Sequence, residues 1–286
     1  MPDVIILGRG PAGISASLYT ARAGLNTLVI GREGGALLKT EAVANYFGFA
    51  EPVSGRTLLK NGAVQARAAG AELLDGEAVG ISCGNGFSVS TVEKEFSAPF
   101  VILATGSQRQ APKIPGLPEF EGHGVSYCAV CDGFFYRGKD VAVLGSGAYA
   151  LHEAEVLLPL AAKVTVLTNG ERPQADFPPQ VTVRTEKIQS LDGETVLSGA
   201  RFADGSFLPL AGIFVAVGVA GSVDLARKLG AETKGAAITV DENRRTSIPG
   251  LYAAGDCTGG MFQIAKAVCD GAVAGSAVAR SFRSAS

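Results

Sequence analysis

One pattern occurs twice in this chain and limits its fold more than any other feature. Val4-Ile5-Ile6-Leu7, a short apolar run, leads directly into Gly8-Arg9-Gly10-Pro11-Ala12-Gly13. Ile14 to Ala23 is Ala-rich and reads as a helix ended by Gly24, and Thr27-Leu28-Val29-Ile30 reads as a second strand. The pattern returns at Val141-Ala142-Val143-Leu144, with Gly145-Ser146-Gly147-Ala148-Tyr149-Ala150 as the turn. Leu151 to Leu158 is the matching helix and Val164-Thr165-Val166-Leu167 the matching strand. Strand, glycine turn, helix and strand make a βαβ unit. Two such units predict an α/β fold with two Rossmann-like, three-layer dinucleotide-binding domains.

The stretches around these units suggest how the domains connect. Phe87 to Phe96 partly alternates polar and apolar residues, as a small antiparallel sheet would. Ala111 to Pro118 is rich in Pro and Gly and reads as a linker. Asp241 to Thr246 is a charged turn and reads as a second crossing. Beyond it come a strand-like Leu251 to Ala254, a Gly255-Asp256 turn and a helical Gln263 to Arg280. The expectation is a discontinuous first domain, 1–112 and 243–286, with a middle domain, 113–242, inserted into it.

Composition agrees with that size and class. A chain of 286 residues fits two domains of about 150 each. Hydrophobic residues reach 47% against 18% charged, enough for a sizeable core and too apolar for a disordered chain. The 38 glycines are about twice the usual share, and without a three-residue period they exclude collagen. A net charge of −2 and no basic tract argue against nucleic acid as a partner. Ala211 to Gly221 is too short and glycine-broken to span a membrane. Asp3, with no basic residue before the first apolar run, argues against a secretory signal, so the expected location is cytoplasmic.

Specific residues carry the chemistry. Gly8 permits the tight turn after the strand, Gly10 lets the backbone approach a pyrophosphate, and Gly13 lets the helix pack closely on the sheet. The helix N-terminus attracts the phosphates. Glu33 stands where an acid binds a ribose hydroxyl, or else is a solvated loop residue. Ala104-Thr105-Gly106-Ser107 follows the apolar run Val101-Ile102-Leu103 and makes another strand-to-turn junction, near a flavin if the fold is as expected. Asp256 can accept from a sugar-alcohol hydroxyl, which flavins have, or can simply cap a turn.

Five cysteines, an odd number, do not suggest a structural disulfide framework. Only Cys128 and Cys131 lie close together, as Cys-Ala-Val-Cys-Asp. Two cysteines in a first helical turn can bridge, the helix N-terminus stabilises a thiolate, and Asp132 beside them can give and take protons. A zinc pair needs a second ligand pair, for which no other Cys-x-x-Cys exists; an inert buried pair is the remaining alternative. With only His123 and His152 besides, no metal site is expected.

The chain resembles the low-molecular-weight thioredoxin reductase family of flavoproteins. The matching stretches are Gly8 to Gly13, Gly34-Gly35, Asn45-Tyr46, Ala104 to Ser107, Tyr127 to Tyr136 and Thr246 to Asp256, with Gln263 at the place of a flavin-contacting Gln. The resemblance implies an FAD-dependent disulfide oxidoreductase and a homodimer. FAD would be held by Gly8, Gly10, Pro11, Ala12, Gly13, Glu33, Gly35, Asn45, Ala104, Thr105, Gly106, Gly255, Asp256 and Gln263. It also implies a redox disulfide in the middle domain. In that scheme Cys131 faces the flavin, Cys128 attacks the disulfide of a thioredoxin-like partner, Asp132 handles protons, and the middle domain rotates between the two tasks.

One departure from the family concerns the electron donor. The family carries His-Arg-Arg-x-x-x-Arg after the middle domain's second strand, where it grips the 2′-phosphate of NADPH. Here the residues are Thr168-Asn169-Gly170-Glu171-Arg172-Pro173-Gln174. Tyr149 also stands where a small residue is usual, and Ala36 where a Gln is. NADPH is therefore expected to be a poor donor, as in the similar ferredoxin-dependent and other pyridine-nucleotide-independent flavin reductases. The alternatives are an NADPH-dependent thioredoxin reductase with an eroded motif, a dithiol oxidase that passes electrons to oxygen, and a non-catalytic flavin redox sensor.

Overall fold

The computed structural model describes residues 1–32, 36–106, 112–218 and 220–285. β1 (Val4–Leu7) runs into α1 (Pro11–Arg22), and β2 (Thr27–Ile30) returns parallel to β1, Val4 opposite Thr27. α2 (Gly55–Ala68) and β3 (Glu72–Leu74) extend the layer. β4 (Ala78–Gly84), β5 (Gly86–Thr91) and β6 (Glu95–Ala98) form the expected small antiparallel sheet, and β7 (Phe100–Leu103) rejoins the parallel one.

The chain then builds β8 (Val125–Ser126), the short α3 (Ala129–Asp132), β9 (Asp140–Leu144), α4 (Ala148–Leu157), β10 (Lys163–Leu167) and β11 (Thr182–Arg184). The antiparallel trio β12 (Ile188–Gly193), β13 (Leu197–Phe202) and β14 (Phe207–Pro209) precedes β15 (Gly212–Val215). Last come α5 (Ser222–Lys228), a hairpin of β16 (Thr233–Lys234) and β17 (Ala237–Ile238), β18 (Leu251–Ala253) and α6 (Ile264–Ala285).

Two parallel sheets dominate, ordered β18-β7-β1-β2-β3 and β11-β10-β9-β15-β8. The runs β7-β1-β2-β3 and β15-β9-β10-β11 are the same arrangement built twice. β1 and β2 are buried at every residue, as strands in parallel sheets are. That double burial is why they read as continuous apolar runs and not as alternating ones.

The chain divides into two compact units, Met1–Gln108 with Gly221–Ser286, and Arg109–Ala220. The return crossing therefore falls some twenty residues before the charged turn expected to mark it. Residues 221–242, assigned from sequence to the middle domain, belong to the first unit. The reason is a lock at the start of α5: the Ser222 N–H donates to Thr105 Oγ1 (2.8 Å), and the Thr105 N–H donates to Ser222 Oγ (3.0 Å). The charged turn is instead a local device, with Asp241 accepting from the Asn243 and Arg245 amides. Nor is the Pro/Gly-rich stretch a free linker from residue 114 onward, because Ile114 and Leu117 are buried in the second unit's core.

Candidate redox and cofactor sites

In the first unit, the parallel order β18-β7-β1 sets three strand-to-turn junctions side by side. A methyl added to Gly8, whose φ is +120°, would lie 2.2 Å from the Ala104 carbonyl oxygen, so only glycine allows this approach. A methyl on Gly13 would meet the Gly8 carbonyl at 1.9 Å, whereas one on Gly10 meets nothing within 4 Å. Gly10 caps α1 with no side-chain hydrogen bond, Pro11 begins the helix, Ala12 is buried beneath it, and the first turn holds no acid. The turn thus offers open space beside an uncapped helix start, where unpaired amides favour an anion.

The third junction is pinned by charge. α6 packs tightly on α1, because methyls on Gly271 and Gly275 would meet the Ala12 and Ala16 carbonyl oxygens at 2.1 and 2.5 Å. Asp270, on α6 and buried, accepts from the Gly255 N–H (3.1 Å) and pairs with Lys266 and Arg244, each at 2.8 Å. Lys266 also donates to the carbonyls of Gly255 (2.7 Å) and Gly259 (2.8 Å). Asp256 is left partly exposed at the end of this pinned turn. Burial pushes its carboxyl above the usual range; Lys266 opposes that rise and Asp270 adds to it. Next to it, Cys257 is fully buried, and burial lifts its thiol to about 11.

Of the other expected flavin ligands, Asn45 Nδ2 donates to Gln263 Oε1 (3.0 Å), which joins two stretches far apart in sequence. Thr105 is engaged with Ser222, and Gly106 has a φ of +84°. Glu33 and Gly35 lie outside the described residues.

In the second unit, Cys128 and Cys131 form a disulfide, with Cα atoms 5.3 Å apart. Cys128 is the N-cap of α3 and its sulfur accepts from the Cys131 N–H (3.1 Å). Cys128 is buried and Cys131 exposed. Ser126, buried on β8, accepts from the Cys128 N–H (3.1 Å) and donates to Asp132 Oδ2 (2.6 Å). Glu153, buried on α4, accepts from the Ala129 N–H (2.8 Å), the first amide of the helix. Val130, Phe134 and Phe135 stand exposed around the pair. Tyr136 packs edge-on against Phe214; burial, then Asp132, raises its phenol above the ordinary value. Tyr149 is not in the solvent: it is 2% exposed, with its hydroxyl 3.5 Å from the Tyr127 carbonyl.

Sequence reasoning passed over Ser126, Glu153, Ser222 and the Lys266–Asp270 pair. The last left a readable signal, opposite charges four apart on a helix. The others become partners only through the fold. Among the described residues, no cluster of three His, Cys, Asp or Glu side chains could hold a metal, and no helix is long and apolar enough to cross a membrane.

Residues 2–271 match the pyridine nucleotide-disulphide oxidoreductase family. The thioredoxin reductase of Aquifex aeolicus is 38% identical over 89% of this chain and 84% of its own. That of Treponema pallidum is 37% identical over 97% and 96%. Among solved structures, an atypical thioredoxin reductase from Desulfovibrio vulgaris Hildenborough has a TM-score of 0.93 at 42% identity, over 99% of both chains. A ferredoxin-flavin thioredoxin reductase from Clostridium acetobutylicum has 0.74 at 29% identity, over 99% of this chain and 98% of the other.

Proposed function

The chain belongs to the pyridine nucleotide-disulphide oxidoreductase family and is a flavin-dependent disulfide oxidoreductase of the thioredoxin reductase kind; on that premise we propose that it passes electrons from bound FAD, through Cys128–Cys131, to the disulfide of thioredoxin or a thioredoxin-like protein. The observation that carries the reading is the Cys128–Cys131 disulfide at the start of α3, with Asp132 held beside it.

The residues of the first unit fit FAD. Open Gly10 at an uncapped helix start suits a diphosphate, and Asp256 suits a polyol hydroxyl. Gly8, Pro11, Ala12, Gly13, Ala104, Thr105, Gly106, Gly255, Asn45 and Gln263 would complete the binding surface, with Glu33 and Gly35 extending it by resemblance. Bound there, FAD supplies a carrier of two electrons.

The protein's own part is thiol chemistry. With two electrons and one proton delivered, the S–S bond opens to a Cys128 thiolate and a Cys131 thiol, whose proton passes to the first departing partner sulfur so that Cys131 is a thiolate for the resolving step. The Cys128 thiolate then attacks one sulfur of the partner disulfide. A mixed disulfide forms and the partner's other sulfur leaves as a thiolate. The Cys131 thiolate attacks Cys128 in that mixed disulfide, which restores Cys128–Cys131 and frees the second partner sulfur. The departing sulfurs thus take up two protons in all, one from Cys131 and one from solvent, and in this reading Asp132 relays them one at a time. Cys128 has to be uncovered before it meets a partner. Exposed Val130, Phe134 and Phe135 offer an apolar surface for that meeting.

For the donor, the reading favours a protein such as ferredoxin over NADPH. Arg172 is the one base in Thr168 to Gln174. Charge-assisted contacts to a phosphate are worth roughly 1.5–3 kcal/mol each, so losing two weakens binding by about two to four decades. NADPH remains the second reading, supported by the retained Gly145 and Gly147 turn. Anaerobic titration with NADPH, NADH and reduced ferredoxin tests the choice. Ferredoxin is expected to bleach the flavin and to support thiol release from thioredoxin. Rapid bleaching by micromolar NADPH, at a rate that sustains turnover, would reverse it.

A further inference from the structure

The two glycine turns share a backbone design and differ in charge. In each, the glycine that follows the first strand sits against the end of a neighbouring strand: added methyls on Gly8 and Gly145 would meet the Ala104 and Ala216 carbonyl oxygens, both at 2.2 Å. In each, the next glycine keeps space around it. A methyl on Gly10 meets nothing within 4 Å, and one on Gly147 reaches only the Gly218 carbonyl, at 4.0 Å. The residue between the glycines is Arg9 in one turn and Ser146 in the other. Arg9 places a nearly buried guanidinium beside the first turn, donating to the Gly31 carbonyl (3.3 Å) and pairing with the exposed Asp75 carboxylate (3.4 Å). Ser146 donates instead to the carboxylate of Glu171, at 2.6 Å.

The segment after β10 is stitched over this second turn. The Thr168 hydroxyl donates to the Glu171 carbonyl (2.6 Å), and the Glu171 N–H donates to the Thr168 carbonyl (3.1 Å). The Gln174 N–H donates to the Ser146 carbonyl (2.7 Å). Main chain and side chain thus both join the segment to the middle residue of the turn. The start of α4 has no side-chain cap and no acid in its first turn, so Glu171 brings a carboxylate to its approach. A pyrophosphate drawn to that helix start would meet a like charge already bonded to the turn.

We propose that Glu171 is a specificity determinant: bonded to Ser146, its carboxylate excludes dinucleotide phosphates from the glycine turn of the second unit. This rests on reading that unit as a dinucleotide-type fold, and it reaches further than the loss of phosphate-gripping arginines. Those arginines serve only the 2′-phosphate, whereas a carboxylate on the turn opposes the pyrophosphate and so acts against NADH and NADPH alike.

The test is calorimetry on the full-length, FAD-loaded protein with NAD+, NADP+ and adenosine as probes. Wild type is compared with Glu171→Gln, which removes the charge and keeps an acceptor for Ser146, and with Glu171→Ala, which removes both. Both variants are expected to bind NAD+ and NADP+ about ten-fold or more tightly than wild type, with adenosine unchanged because it lacks phosphate. Glu171 is exposed, and an unaltered FAD content checks folding. Equal affinities in all three proteins, including binding by none, overturn the proposal, as does an equal gain for adenosine. The donor reading fails by a separate measurement, bleaching of the wild-type flavin by NADPH. That result would leave the comparison of variants to decide the role of Glu171.

Discussion

Ser126 joins the acid to the cysteine: its Oγ lies 2.6 Å from Asp132 Oδ2 while accepting the Cys128 N–H at 3.1 Å. One hydroxyl therefore fixes both the carboxylate proposed to move protons and the backbone of the cysteine proposed to attack. A hydrogen bond to a charged group is worth about 1.5–3 kcal/mol. Ser126→Ala is expected to lower kcat with thioredoxin about ten-fold while FAD content and the disulfide stay intact; Ser126→Thr should recover most of it. Steady-state kinetics beside a thiol count decides. Unchanged turnover in the alanine variant would reduce Ser126 to a packing residue.

The order of attack in the thiol chemistry can be trapped. Cys131→Ser leaves Cys128 able to attack and removes the group that resolves the mixed disulfide. A partner lacking its own resolving cysteine, supplied as its thionitrobenzoate mixed disulfide, should then accumulate as a 1:1 covalent complex visible by mass. Cys128→Ser should yield none. A complex formed mainly through Cys131 would exchange the two roles, a real contest because Cys131 is the exposed member of the pair.

What could be read in advance follows from what is local. The strands at Val4–Leu7 and Val141–Leu144 are continuous apolar runs with glycines behind them, and those two facts already dictate the repeated βαβ fold. The Cys128–Cys131 disulfide was legible for the same reason, since its two cysteines lie three residues apart. The return crossing was not. Asp241 to Thr246 carries the stronger turn signal, whereas the crossing that occurs depends on Ser222 meeting Thr105, a pairing across more than a hundred residues. Ser126 and Glu153 are one polar residue on a strand and one on a helix. Nothing in their neighbours says that the fold turns both toward the first helical turn beside the Cys128–Cys131 disulfide.

The remaining cysteines should separate by burial. Cys83 and Cys269 are exposed, while Cys257 is buried with its thiol lifted to about 11. The thiolate is the reactive form, so at pH 8 Cys257 is both shielded and almost wholly protonated. Iodoacetamide on the native oxidised protein should label Cys83 and Cys269 and spare Cys257 until the protein is denatured. Mass mapping reads this directly, and early labelling of Cys257 would show that the Gly255 turn opens easily.

Asp256 makes stability depend on pH, and the sign reverses with the cofactor. Burial raises its carboxyl, so without FAD the folded protein prefers the neutral acid. That contribution is complete below the usual aspartate value of about 3.9 and is lost as pH rises through the raised one. Apo Asp256→Asn, neutral throughout, should melt higher than apo wild type at pH 7, with the gap closing toward about pH 4. With FAD bound the ranking should invert, because the carboxylate then has a hydroxyl to accept from. Melting curves of both forms across that range test it. A gap that persists at low pH would mean that packing, not ionisation, sets the difference.

The charge network behind that turn gives an ordered prediction. Asp270 is 1% exposed and serves two cations, Lys266 and Arg244, whereas Lys266 shares its ammonium among Asp270, Thr258 and two backbone carbonyls. Asp270→Asn strips both cations of their counter-charge at once. Breaking a buried pair from one side costs about 3–5 kcal/mol, and this variant should reach that range. Lys266→Met leaves Asp270 still paired with Arg244, so its loss should be smaller. Urea denaturation followed by release of FAD fluorescence should therefore rank wild type above Lys266→Met and Lys266→Met above Asp270→Asn. The Gly255 N–H loses a charged acceptor only in the Asp270 variant, so FAD retention should fall furthest there. If Lys266→Met proves the more damaging, the turn is held by the lysine's bonds to Gly255 and Gly259, and Asp270 serves mainly to neutralise it.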